Sequence, residues 1–243
     1  EFRGKPLTEV LTEQMQQDFY HFEGNAQALR LVSKLHLLVN EYGMNLTFAL
    51  LDTIIKYPVP STGVLPDSGR ICEKKMGYFY AEEELYRKIA DSCGTFGVRH
   101  PLTYILEAAD DIAYRTADIE DAFKKGFISY DRLTSELHSH LDAIYQGKEN
   151  YPLSVLEHQY RKALERGDKE PKRYAVSNFI IRMQGYLIYC ATAGFTAHYR
   201  EIMEGRWEHD LFYGTAAAPI IKALGNIAYD HVFVSMPILK LEV

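Results

Sequence analysis

Apolar residues return every three to four positions along almost every segment of useful length, and nowhere in a sustained alternation. Such a chain has one way to bury its hydrophobic side, which is helix against helix. Leu29, Val32, Leu35, Leu38 and Val39 give the pattern its clearest form: the spacing predicts a helix over 25–42, with Gly43 as its C-cap. Further helices are expected over 6–22, 45–57, 82–92, 100–125, 130–145, 151–166, 173–199 and 216–229. Pro58 and Pro60 stop the helix over 45–57, while Gly94, Gly97, Gly147 and Gly167-Asp168 mark turns. Residues 58–75 hold Pro, Ser, Gly and Asp with little periodicity and read as a long loop. The expectation is an all-α single domain over 1–243, without internal repeat or linker.

Composition narrows the function classes. A chain of 243 residues that is 47% hydrophobic and 25% charged has the make-up of a globular protein with a sizeable core. No run approaches a membrane span and the start has no basic-then-apolar signal pattern, so no membrane is expected as a partner. A net charge of -6 argues against a surface that is basic throughout. Cys72, Cys93 and Cys190 are odd in number and lack a CxxC spacing, so neither a disulfide framework nor a zinc knuckle is suggested, and a cytoplasmic, reducing setting fits. The chain opens at Glu1 without Met and stops at Val243 without a visible cap, which reads as a central segment of something longer.

Within the helix at 100–125, Leu106, Ala109, Ile112, Ala113, Ala117 and Ala122 are expected to form the apolar stripe. Asp110, Tyr114 and Asp118 recur every four residues, so two carboxylates and a phenol share one strip. Like charges at this spacing slightly disfavour a helix. An aspartate beside an apolar seam usually has a partner, for which a divalent cation is one candidate. The other reading is a solvated acidic face with Arg115 as its counter-charge. The long loop is bracketed by Lys56-Tyr57 and Lys74-Lys75, four groups that suit a phosphate chain. Lysines at helix ends also simply complement the helix dipole, and both readings stay open here.

The segment His21-Phe22-Glu23-Gly24-Asn25-Ala26-Gln27 resembles the corresponding motif of bacterial deoxyguanosine triphosphate triphosphohydrolases, members of the HD phosphohydrolase superfamily. The resemblance continues through Asn45-Leu46-Thr47, Ile55-Lys56-Tyr57, Lys74-Lys75-Met76-Gly77-Tyr78, and Pro101-Leu102-Thr103 leading to Glu107-Ala108-Ala109-Asp110-Asp111-Ile112. Five motifs in one order cover about residues 17 to 122. The resemblance implies an all-α HD-type bundle that cleaves a deoxynucleoside triphosphate, dGTP above all, into nucleoside and tripolyphosphate. It implies a Mn2+ or Mg2+ ion with Asp110 as one ligand, and Tyr114 and Asp118 at the sugar. Asn25, Lys56, Tyr57 and Lys75 match family positions near the bound nucleotide. It also implies a homo-oligomer and, in several members, a single-stranded nucleic acid effector. The chain's one His-Asp dipeptide, His209-Asp210, does not sit in the family's metal-binding context, so the family's remaining metal ligands and catalytic groups are expected upstream of residue 1 and the segment alone is expected to be inactive.

Other readings bear on the same residues. His21 reads as a packing or capping histidine before it reads as an acid or base. Glu23 and Asn25 suit a helix start as well as they suit a substrate. A non-catalytic nucleotide-binding or regulatory helical module is the alternative for the whole chain.

Overall fold

A computed structural model describes residues 3–36, 41–145 and 152–234, and the expected Leu38, Val39 and Gly147 lie outside them. The described residues are helical with no strand among them, as the periodicity requires. The helices are α1 (Leu7–Val10), α2 (Glu13–Tyr20), α3 (Gly24–Arg30), α4 (Phe48–Ile54), α5 (Glu83–Cys93) and α6 (Pro101–Lys124). They continue with α7 (Tyr130–Tyr145), α8 (Pro152–Glu165), α9 (Pro171–Ala197), α10 (Tyr199–Met203) and α11 (Ala218–Ala228). The chain divides into two compact units, Glu1–Glu107 with Phe195–Asp210, and Ala108–Gly194 with Leu211–Val243. No described helix is long and apolar enough to cross a membrane.

In the first unit, Leu29 of α3, Leu51 of α4, Ile55, Tyr78, and Tyr86, Ile89 and Ala90 of α5 form one buried cluster. Tyr78 and Tyr86 stack within it at 4.2 Å, and the Tyr86 hydroxyl donates to the Pro58 carbonyl at 3.0 Å. The segment expected as one helix over 6–22 is two, because Thr12 leaves the helical path and its hydroxyl caps α2, accepting from Met15 N–H. The helix expected over 25–42 ends early. A regular turn would pair His36 N–H with the Val32 carbonyl, but Met44 N–H takes that carbonyl at 2.7 Å. His36 N–H then reaches back five residues to Leu31, and Leu31–Leu35 widens into a π turn. Gly43 is therefore no C-cap. It sits at φ 63 with a hypothetical Cβ 2.3 Å from the Val32 carbonyl oxygen, a close approach that only glycine allows.

The second unit is a bundle. Leu133, Leu137, Leu141 and Tyr145 of α7, Leu153 and Leu156 of α8, Phe179, Met183 and Leu187 of α9, and Ile220, Leu224 and Ile227 of α11 are all buried. Each set keeps the three-to-four spacing, so one stripe per helix fills the core. Gly194 of α9 lies with a hypothetical Cβ 2.1 Å from the Leu211 carbonyl oxygen, and Gly225 of α11 makes room for the Arg115 guanidinium.

The stripe expected on α6 is corrected. Ile112 and Ala122 are buried as expected, but Leu106, Ala109, Ala113 and Ala117 are exposed. The buried face runs through Tyr104, Ala108, Ile112, Thr116, Ile119 and Ala122 instead. Thr116 tolerates complete burial because its hydroxyl donates to the Ile112 carbonyl at 2.6 Å and accepts from Gln184 of α9 at 2.9 Å.

Candidate functional site

The motif residues of the first unit are drawn together by one carboxylate. Glu23 stands just ahead of α3 in extended conformation, and its side chain makes no capping bond. One carboxylate oxygen accepts from the Asn25 amide at 2.7 Å and the other pairs with the Lys75 ammonium at 3.0 Å. Burial pushes the Glu23 carboxyl up, but the Lys75 hydrogen bond and charge, with the Asn25 contacts, bring it below its ordinary value. Glu23 takes the N-cap position of α3 and Asn25 lies in its first turn, so both stand at the helix start as the sequence suggests, and the Glu23 carboxylate also pairs with Lys75.

The two feet of the long loop also meet. Gly77 N–H donates to the Val59 carbonyl at 3.0 Å, and a Cβ on Gly77 would fall 1.7 Å from the Tyr57 carbonyl oxygen. The segments that carry Lys56-Tyr57 and Lys74-Lys75 therefore run side by side at backbone contact. Tyr57 is buried, Lys56 is partly exposed and Lys75 is half exposed.

Arg99 holds this arrangement from within. Its side chain is buried and makes two bonds to Glu107, at 2.5 and 3.2 Å. Its Nε donates to the Lys56 carbonyl at 2.7 Å, and its guanidinium lies 5.5 Å from the Tyr57 ring centre. A planar guanidinium can serve carboxylate, carbonyl and aromatic face at once, which an ammonium cannot. Sequence reading missed Arg99, since an arginine eight residues from its glutamate leaves no periodic trace.

Asp110, Tyr114 and Asp118 lie in the second unit on one strip of α6, one turn apart, beside the exposed alanines. Asp110 is exposed. The Tyr114 ring stacks flat on Phe233, with centres 5.6 Å apart and planes within 5°. Burial and the neighbouring Asp118 push the Tyr114 phenol up. Asp118 is partly exposed, yet its Oδ2 is shielded from water and has no hydrogen-bond partner among the described residues. Burial raises its carboxyl, and Asp121 adds to the shift. Arg115, read from sequence as the strip's counter-charge, pairs with Asp111 at 3.3 Å.

The described residues contain no cluster of three or more His, Cys, Asp or Glu groups able to hold a metal ion. A Mn2+ or Mg2+ ion needs several well-placed donors, so the described residues do not complete such a site around Asp110. His21 takes the capping role, its ring nitrogen 3.3 Å from the Gln17 carbonyl in the last turn of α2. His138 pairs with Asp142 at 3.0 Å, and all three cysteines are free thiols.

No family model matches the chain. Along its whole length it is 37% identical to a deoxyguanosinetriphosphate triphosphohydrolase-like protein of Listeria monocytogenes, and covers 50% of that relative. A protein of the same description from Synechocystis is 28% identical over 93% of the chain, which covers 49% of it. A deoxyguanosinetriphosphate triphosphohydrolase of Yersinia enterocolitica is 43% identical over 54% of the chain, or 25% of the relative. The chain thus spans about half the length of the first two.

Proposed function

The chain belongs with the deoxyguanosinetriphosphate triphosphohydrolase-like proteins to which it is similar end to end, and we propose that it supplies part of the substrate site of a deoxynucleoside triphosphate triphosphohydrolase acting on dGTP. The observation that carries the reading is the joining of Asn25 and Lys75 through Glu23, beside the Gly77 contact that seats Lys56-Tyr57. Motif residues fifty positions apart converge on one place in the first unit.

Each group then has a task its chemistry allows. Lys75 and Lys56 counter the charge of a triphosphate chain. Glu23 holds the Lys75 ammonium by a single bond, which leaves further N–H donors for phosphate oxygens. Asp118, which is partly exposed, accepts from a sugar hydroxyl, and Tyr114, stacked on Phe233, closes the space beside it. Asp110 offers one carboxylate donor toward a Mn2+ or Mg2+ ion that the described residues do not otherwise hold. A homo-oligomer, a cytoplasmic setting and a single-stranded nucleic acid effector belong to the same reading.

The test is to incubate the protein with dGTP and Mn2+ and separate the products by ion exchange. Deoxyguanosine with tripolyphosphate supports the reading, and in that protein Lys75→Ala and Asp118→Asn should each lower turnover at least about tenfold. Orthophosphate or pyrophosphate would overturn the bond assignment. Binding of dGTP without turnover is expected of this segment alone, whose described residues complete no metal site, and a failure to bind dGTP would overturn the reading.

A further inference from the structure

The widened turn Tyr229–Phe233 that follows α11 in the second unit takes no part in the core. Val234 N–H reaches back five residues to the Tyr229 carbonyl at 3.1 Å, and none of the turn's side chains is buried. Two of them nevertheless touch two different helices. His231 Nε2 lies 3.2 Å from Glu136 Oε1 of α7, and the Phe233 ring stacks flat on Tyr114 of α6. A carboxylate only accepts, so Nε2 carries the hydrogen of the first contact.

Glu136 is a firm anchor. Its side chain and that of His231 are 17% and 18% exposed, so the pair is screened far less than one in open water. Arg132, one turn back on α7, holds the same carboxylate oxygen at 2.8 Å, and His140 Nε2 stands 3.8 Å from the other. Leu133 and Leu137, on either side of Glu136 in sequence, are fully buried and fix this stretch of α7 in the core.

Tyr114 has no such support from its own helix. It is 53% exposed, and an exposed side chain moves among rotamers unless a neighbour holds it. Phe233 is such a neighbour, since face-to-face contact fixes both the tilt and the place of a ring. The route from Glu136 to Tyr114 thus runs through His231, one turn of backbone and Phe233. Asp118 follows Tyr114 one turn further along α6.

We propose that Glu136 and His231 are positioning residues for Tyr114: they hold Phe233 against its ring and so set the width of the space between Tyr114 and Asp118. The use of that space for a sugar rests on the triphosphohydrolase reading, whereas the anchoring of the ring does not.

A fluorotyrosine placed at position 114 gives a single fluorine resonance that reads the ring current of Phe233. Phe233→Leu supplies its value for an unstacked ring. Glu136→Ala and His231→Ala should each move the resonance toward that value. Glu136→Gln, whose amide oxygen still accepts from His231, should hold it near the wild-type position, and His138→Ala on the same helix should leave it unmoved. Calorimetric titration with dGTP and with GTP, which is larger by one hydroxyl, then reads the space itself. The two alanine variants should lower the preference for dGTP by about threefold to tenfold, the range of one hydrogen bond, and Glu136→Gln should retain it. An unmoved resonance in both alanine variants overturns the proposal whatever the ligands do. A moved resonance with an unchanged preference, or no preference in the wild-type protein, overturns the role at the sugar. Failure of the wild-type protein to bind dGTP overturns the triphosphohydrolase reading instead, and the resonance alone then decides the anchoring of Tyr114.

Discussion

Two glycines make opposite demands on the same substitution. A Cβ on Gly77 would meet the Tyr57 carbonyl oxygen at 1.7 Å, and that backbone cannot swing away. A Cβ on Gly225 would meet Arg115 Nη1 at 1.9 Å, the far end of a flexible side chain. Gly77→Ala should therefore cost about 3 kcal/mol, the upper end for overpacking, and Gly225→Ala no more than about 1 kcal/mol; urea unfolding of both variants measures this. Two carboxyls carry opposite pH signs. Burial raises the Asp52 carboxyl although it accepts from Thr95 at 2.6 Å, so the folded state binds the proton more tightly than the unfolded chain. Its contribution to stability is present below the ordinary aspartate range, about pH 4, and is lost as pH rises through the raised value. The lowered carboxyl of Glu23 contributes above the ordinary glutamate range and loses that contribution as pH falls through its folded value. Thermal melts should show Asp52→Asn flattening the decline in Tm above about pH 4, and Glu23→Gln flattening the loss below it. Thiols test burial directly. Cys93 is half-buried while Cys72 and Cys190 are buried, and burial pushes all three thiols up. Ellman's reagent at pH 8 should label Cys93 first and the other two only on unfolding.

Helix ends show where the elements depend on single side chains. Thr47 caps α4, its hydroxyl accepting from Leu50 N–H at 3.3 Å. Beyond α4 lie Lys56 and Tyr57, so the cap anchors the approach to the candidate site. Thr47→Ala should cost about 1 kcal/mol, read as a lower urea midpoint with an unchanged slope. Most helix bodies were legible: α5 and α7 follow their expected spans closely because one strong stripe and clear turn signals leave no competing choice. The ends of α3 were not legible, since the widened turn there depends on Met44 N–H claiming the Val32 carbonyl across a gap of twelve residues. Short α10 lies beyond the helix expected over 173–199 and shares only Tyr199 with it. The turn at His198 interrupts the helix where its ring stacks on Trp207 at 3.6 Å.

At the scale of the whole molecule, the all-α class follows from periodicity, because a chain patterned every three to four residues cannot satisfy a sheet. The resemblance was equally legible, since the motifs at 21–27, 55–57, 74–78 and 107–112 stand in one order along the chain, which is 37% identical over its whole length to a deoxyguanosinetriphosphate triphosphohydrolase-like protein. Contact between distant residues was not written there. Helix α6 offers two apolar faces, and the sequence alone could not choose between the alanine face and the one through Ile112, Thr116 and Ile119. That choice follows from what packs against them, with Gln184 satisfying a buried threonine hydroxyl. Glu23 reads locally as a helix-start residue and becomes the bridge between Asn25 and Lys75 only when the chain returns fifty residues later. Arg99 lies in no motif, and its role arises from burial among its partners Lys56, Tyr57 and Glu107. Local spacing sets which helices form, because backbone hydrogen bonds and side-chain stripes are short-range. Which face is buried and which charge meets which partner are set by long-range packing and desolvation, which exist only in the folded chain.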